Sequence, residues 1–257
     1  MHRHSEEDLD QLRLSHSPEA IRQALEDGPT HSNLGDFILG AIDGAITTFA
    51  VVAGAVGADL GAGIVVVLGL ANLLADGFSM GIGVFLGERA EHQQADALRE
   101  SASRHIEIYP DGATEAIRQI FLARGFEGEA LEFAVATVTS NRETWLHEIM
   151  HEVHNVSDEH KSAGKAGLVT FLAFLLVGTI PLLVYFVALA TDGDLPAPFL
   201  WASILTGIAF FLVGAIKSTF VATKWWYEGL ETLAVGGVAA SLAYGVGVLL
   251  RGLIDSV

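Results

Sequence analysis

Residues 34–87 read LGDFILGAIDGAITTFAVVAGAVGADLGAGIVVVLGLANLLADGFSMGIGVFLG, and the fold turns on how this stretch is understood. Two apolar runs, roughly Leu34 to Gly57 and Ala62 to Gly87, flank the short turn Gly57-Ala58-Asp59-Leu60-Gly61. As a helix, each run is long enough to cross the ~30 Å hydrocarbon core of a bilayer at about 1.5 Å per residue. So short a turn makes the pair an antiparallel hairpin. Further along lie three more apolar runs, about Ala166–Ala190, Ala197–Ala222 and Leu230–Leu253. The third and fourth are separated by TDGDLPAP, where proline and glycine forbid a continuous helix. These runs predict an all-α integral membrane protein with five transmembrane helices and a helical cytosolic insert between helices two and three. Its segments are a polar tail (1–33), helices one and two (34–87), the insert (88–165) and helices three to five (166–253).

Composition supports this reading. The 257 residues are 51% hydrophobic and only 18% charged, a combination uncommon in soluble domains. The charge is segregated into the tail and the insert, leaving the spans almost uncharged, as hydrocarbon requires. A net charge of −17 excludes a nucleic-acid partner, which needs a basic footprint, and suits the attraction of cations. The absence of cysteine excludes thiolate metal sites, disulfides and cysteine nucleophiles. The N-terminus lacks an apolar signal region, so no cleavable signal peptide is expected. Residues 6–14 and 18–26 fit short amphipathic helices.

Lysine and arginine placement sets the expected orientation. Arg89, Lys161, Lys165 and Lys224 flank the side taken as cytosolic, and Asp59, Asp192 and Asp194 the other. The N-terminus and insert then lie inside and the C-terminus outside, with Arg251 the one dissenting charge. The expected location is a prokaryotic plasma membrane.

In the insert, ERAEHQQADALRESASRHIEI contains no breaker and continues the second span. Tyr109-Pro110-Asp111-Gly112 is a turn signal. A helix follows with apolar spacing at Ile117, Ile120 and Phe121, closed by Gly125 as C-cap. GEALEFAVATVTS is a third helix, and NRETWLHEIMHEVHNV a fourth with Asn141 as N-cap. Within the first two spans, Gly40/Gly44 and Gly77/Gly81 are small-xxx-small pairs suited to close helix packing.

The residues able to carry chemistry are those that are expensive where they stand. Asp43 is an ionisable group deep in span one, where such groups mark ion or proton paths; a bond from its carboxylate to Thr47 is the structural alternative. Asn72, Asp76 and Met80 recur at i, i+4 and i+8 on one face of span two. Carboxylate, amide and thioether together suit a borderline-soft divalent metal such as ferrous iron better than calcium or magnesium. In the insert, Glu88, His92, Asp96 and Glu100 recur every four residues. His147, His151 and His154 share a face of the last helix, with Glu148 and Glu152 about 100° round. Imidazole and carboxylate form a transition-metal ligand set. His147-Glu148-Ile149-Met150-His151 also matches the HExxH pattern of zinc proteases. Lys217 and Glu231 are placed to form a charge pair between spans four and five.

Together, DFILGAIDGAITTFAVVAG (36–54), GLANLLADGFSMGIGVFLG (69–87), IPLLVY (180–185) and the stretch from Phe211 to Ala243 resemble the vacuolar iron transporter family, which includes iron/manganese transporters and nodulin-21-like proteins. The resemblance covers about residues 34–253. It implies a homodimer of five-helix subunits whose path, lined by the first two spans, carries Fe²⁺ or Mn²⁺ out of the cytosol in exchange for protons. It places the family's span-one aspartate at Asp43 and its span-two methionine at Met80, and makes the insert a metal-collecting domain. Where some members have a glutamate before the methionine, this chain has Asn72, with Asp76 one turn later. Family inserts are often rich in glutamate where this chain has Ala113 and Ala116; Glu107, Asp111 and Glu115 stand nearby, and His105, His147 and His151 add nitrogen donors.

The expected function is therefore secondary transport of Fe²⁺ or Mn²⁺, with Zn²⁺ or Co²⁺ as further cargo, and no cofactor or enzymatic activity. The expected partners are metal ions, protons, the bilayer and a second copy of the chain. A membrane-anchored metal sensor or buffer, and an HExxH metalloprotease using His147, Glu148 and His151, are the alternatives.

Overall fold

The computed structural model describes residues 6–27, 33–156, 161–191, 194–221 and 223–254. The stretch up to Asn33 and the stretch Leu34–Val257 are separate compact units. In the first, α1 (Glu6–Ser15) and α2 (Pro18–Asp27) are the two short helices expected there.

The second unit is built on α3 (Leu34–Gly57) and α4 (Ala62–Ile108). The hairpin between them is tight: Asp59 adopts a left-handed φ of 64°, and Leu60 N–H donates to the Ala55 carbonyl at 2.9 Å. As the unbroken polar run predicted, α4 continues beyond the apolar stretch for 47 residues, or about 70 Å of rod. It is followed by α5 (Pro110–Ala123), α6 (Gly128–Thr139) and α7 (Arg142–Glu152). The return is made by α8 (Ala163–Gly178), α9 (Ile180–Ala190), α10 (Pro198–Val221) and α11 (Trp225–Ile254). Four helices among the described residues are long and apolar enough to cross a membrane, and α8 with α9 makes a fifth span. That span is not straight. It bends by 45° between Gly178 and Ile180, where Pro181 has no N–H to continue the ladder.

Central to the bundle is α3, which packs on α4, α8, α9, α10 and α11. Glycine makes this possible. A Cβ on Gly44 would lie 2.5 Å from the Phe174 carbonyl oxygen, and Gly40 abuts the Thr170 main chain. The second small-residue pair meets the same helix: Gly77 faces the Phe174 ring and Gly81 the Gly167 carbonyl. Both motifs thus seat α8 rather than pairing α3 with α4.

The insert has its own core. Ala102 and Ile106 of α4, Ile117 and Phe121 of α5, Leu131 and Val135 of α6, and Trp145, Ile149 and Met150 of α7 are buried together. Its helix ends follow the sequence signals. Gly125 (φ 87°) closes α5, with Gly125 N–H donating to Leu122 O and Phe126 N–H to Phe121 O, both at 3.0 Å. This is the paired hydrogen-bond pattern of a Schellman cap, sealed by the Phe121–Phe126 ring contact at 5.3 Å. The Asn141 side chain accepts from Glu143 N–H at 2.9 Å and Thr144 N–H at 3.3 Å. α7 stops at Glu152, earlier than predicted, so His154 lies in the turn beyond it and does not extend the His147–His151 face.

Candidate functional site

The first two spans place their unusual side chains at one level. Asp43 sits about 13 Å along α3, and Met80 lies two turns before the end of the apolar stretch of α4. Both line a cavity of about 550 Å³ with Gly35, Ile38, Leu39, Ile42 and Lys217. These positions belong to the half of the bundle nearer the insert: α3 begins there, α4 leaves from there, and Lys217 is near the end of α10 that leads back to it. Asp43 is half-buried. The Thr47 hydroxyl donates to the Asp43 backbone carbonyl at 2.8 Å. The carboxylate–Thr47 bond considered from sequence is therefore not made.

On α4, Asp76 lies one turn from Met80 and is exposed on this single chain, while Asn72 is half-buried. The structure thus brings Asp43 and Met80 to one cavity, while Asp76 and Asn72 do not line it.

Lys217 bonds chiefly to a residue the sequence reading overlooked. Its Nζ is 2.8 Å from Glu228 Oε2 and 3.5 Å from the expected Glu231. Glu228 is only 4% exposed, and its other oxygen accepts from the Thr223 hydroxyl at 2.8 Å. A second missed pair closes the same end of the bundle: Asp36, 7% exposed, holds Lys161 Nζ with both carboxylate oxygens at 2.7 Å. Asp36 is thus a buried ion-pair partner. At the opposite end, Arg251 pairs with Asp59, which neutralises the one charge that dissented from the orientation pattern.

The insert's candidate ligands are dispersed. Glu100 pairs with Arg104 at 3.0 Å along its own helix face. Glu107 pairs with Arg142, and His105 is exposed on the same helix. Glu115 holds Arg118 at 3.2 Å and accepts from Gln119 at 2.7 Å. On α7 the rings of His147 and His151 lie 6.3 Å apart at 23°, exposed side by side. Glu148 and Glu152 point instead to Arg124, the C-cap residue that follows α5, at 2.6 and 2.8 Å. Glu152 also accepts from His151 Nδ1 at 2.9 Å. The His151 ring and the Arg124 guanidinium hold the Glu152 carboxyl below the usual glutamate range. The HExxH glutamate is therefore engaged by a guanidinium. Among the described residues, no three histidine or carboxylate side chains of one chain converge into a metal-sized cluster.

Apolar spans around a central helix, with a carboxylate and a thioether on one cavity, define a polytopic α-helical integral membrane protein. Residues 34–248 match the family model described as "VIT family". The chain belongs to that family. It is 29% identical over 256 residues to a vacuolar iron transporter of Toxoplasma gondii, covering 95% of this chain and 85% of the relative. A vacuolar iron transporter of Plasmodium falciparum is 30% identical, with 87% and 84% covered. Vacuolar iron transporter 1 of Arabidopsis thaliana is 29% identical, with 90% and 93% covered.

Proposed function

We propose that this protein is a secondary transporter that moves Fe²⁺ or Mn²⁺ out of the cytosol in exchange for protons. The observation that carries the reading is the shared cavity of Asp43 and Met80. A carboxylate supplies charge, and a thioether favours borderline-soft ions over magnesium and calcium; Zn²⁺ and Co²⁺ meet the same description. Asp76, one turn from Met80, provides a second carboxylate on the way. Protons compete with metal for such oxygens, because a protonated carboxylate is a poor ligand. Metal and proton then exclude each other at one place, which is the minimal requirement for exchange. The names of the relatives, all vacuolar iron transporters, agree with iron as cargo.

The working unit is a homodimer. On one chain Asp76 is exposed at membrane depth, where a bare carboxylate against lipid is costly, and a second copy against that face of α4 covers it. The insert acts as a collecting domain on the cytosolic side of a prokaryotic plasma membrane, offering His147 and His151 together with Glu100, His105, Glu107, Glu115, Glu148 and Glu152, completed by donors from the second copy. Arg89, Lys161, Lys165 and Lys224 put that end inside. The test is uptake of Fe²⁺ and Mn²⁺ by sealed vesicles containing the purified protein, with and without a pH gradient. Transport that is lost in Asp43→Ala and Met80→Ala supports the reading. Metal binding without transport in any gradient would replace it with the sensor reading.

A further inference from the structure

A lysine stands in the wall of the proposed cation path. Lys217 lines the cavity of Asp43 and Met80, so a divalent ion seated there faces an ammonium as well as a carboxylate. Its position is imposed by the main chain. One turn earlier on α10, Gly214 lets α11 approach so closely that an added Cβ would stand 2.9 Å from the Gly229 Cα. That contact brings Glu228 to Lys217 at 2.8 Å, with Glu231 at 3.5 Å and the Thr223 hydroxyl fixing the other Glu228 oxygen at 2.8 Å. Glu228 is buried behind the lysine, whereas the lysine side chain remains about one-third exposed at 35%. The arrangement is a cation on a short tether, whose nearest anchor, Glu228, does not line the cavity.

We propose that Lys217 sets the affinity of the metal path: a resident ammonium, held on the cavity wall by Glu228 and Glu231, weakens divalent-ion binding at Asp43 and Met80 enough for the ion to leave. A conducting site must bind firmly enough to admit its ion and loosely enough to release it. A carboxylate and a thioether in low dielectric would hold a divalent ion tightly, and one fixed positive charge nearby offsets part of that attraction. Glu228 is the positioning residue, since it keeps the ammonium from closing on Asp43. The inference rests on the transport reading above.

The two members of the pair should act in opposite directions, which a merely structural ion pair would not do. In vesicles loaded with purified protein and supplied with Mn²⁺, Lys217→Met should lower KM on the order of tenfold and lower the maximal rate. Glu228→Gln, which releases the ammonium toward Asp43, should raise KM by a similar factor. Lys217→Arg should stay near the parent, and the double variant, which lacks the ammonium that Glu228 positions, should behave like Lys217→Met. Shifts of KM in the same direction for Lys217→Met and Glu228→Gln, or a Lys217→Arg that behaves like Lys217→Met, would overturn the inference and leave the transport reading intact. If Lys217→Met is not recovered folded, Glu228→Gln decides alone: an unchanged or lowered KM overturns the proposal. A parent protein that moves no Mn²⁺ or Fe²⁺ overturns both.

Discussion

Replacing Gly44 by alanine tests the packing that holds Asp43 in place. The new Cβ would stand 2.5 Å from the Phe174 carbonyl oxygen and 2.8 Å from its Cα, where ordinary contact begins at 3.4 Å. Both obstacles are main chain, so no side chain can turn aside, and α3 and α8 must separate by nearly 1 Å. Alanine favours the helix by about 1 kcal/mol over glycine, whereas overpacking of a close interface costs about 1–3 kcal/mol and lost dispersion adds to it. Separation along α3 also weakens neighbouring contacts, since Gly40 abuts the same helix. We expect a net destabilisation of about 1–2 kcal/mol. The control is Gly245→Ala in α11, where an added Cβ meets nothing within 4 Å; it should be neutral or stabilising by up to about 1 kcal/mol. Thermal unfolding of both variants in one detergent, followed by circular dichroism, reads the difference. A Gly44→Ala protein as stable as Gly245→Ala would refute the close α3–α8 contact as drawn. Asp43 is the neighbour of Gly44, so vesicle transport should fall in Gly44→Ala even at temperatures where the protein is fully folded.

Three further outcomes follow from the side-chain geometry. Arg124→Ala frees Glu148 and Glu152 beside the histidine pair, so Mn²⁺ or Co²⁺ should bind the full-length protein several-fold more tightly in equilibrium dialysis, an increase on the order expected for two released carboxylates; unchanged binding would show that these glutamates take no part. Glu152 has a folded pKa below its ordinary 4.5, so its contribution to the α5–α7 tie is complete above that value and is lost as pH falls through the lower folded value. Protection factors for hydrogen exchange in the last turn of α7, corrected for the intrinsic pH dependence of exchange, should fall in that acid window. Met80→Leu keeps the volume and removes the thioether, so transport of Fe²⁺ and Co²⁺ should drop by about tenfold more than transport of the harder Mn²⁺; an equal loss for all ions would assign Met80 a packing role only.

Most of the architecture was legible because the bilayer permits so few alternatives. Apolar runs of span length, the hairpin at Asp59 and the uninterrupted polar extension of α4 each have one structural solution. The Gly125 and Asn141 caps were readable for a similar reason: each answers a local hydrogen-bond need. What escaped depends on distances between helices. Glu228 and Glu231 are three residues apart on one face, and only the close approach at Gly214 decides that Glu228 takes Lys217. Thr47 has two acceptors within one turn, and a sequence does not say whether the hydroxyl chooses the carboxylate or the carbonyl. Arg124 lies far upstream of Glu148 and Glu152, so the capture of that acidic edge is a tertiary fact. The Gly40/Gly44 and Gly77/Gly81 pairs announced close packing without naming α8 as its object. The bend at Pro181 had a signal in the sequence, but a proline in an apolar run is also met in kinked yet continuous spans.

The continuity of α4 has a mechanical side. From Glu88 to Ile108 the helix projects about 32 Å past its apolar stretch with no proline or glycine to act as a joint. The helices that pack on its far end and the base of the arm at Glu88 are therefore parts of one lever. A tilt of about 5° at the membrane sweeps the tip through about 3 Å, and the same rotation begun at the tip is delivered to the membrane end of the arm at Glu88. Adding one residue to this arm would turn the insert by about 100° relative to the spans, and adding seven would nearly restore its facing. Insert and cavity thus share an angular phase, so length changes in the arm are tolerated by heptads and not by single residues.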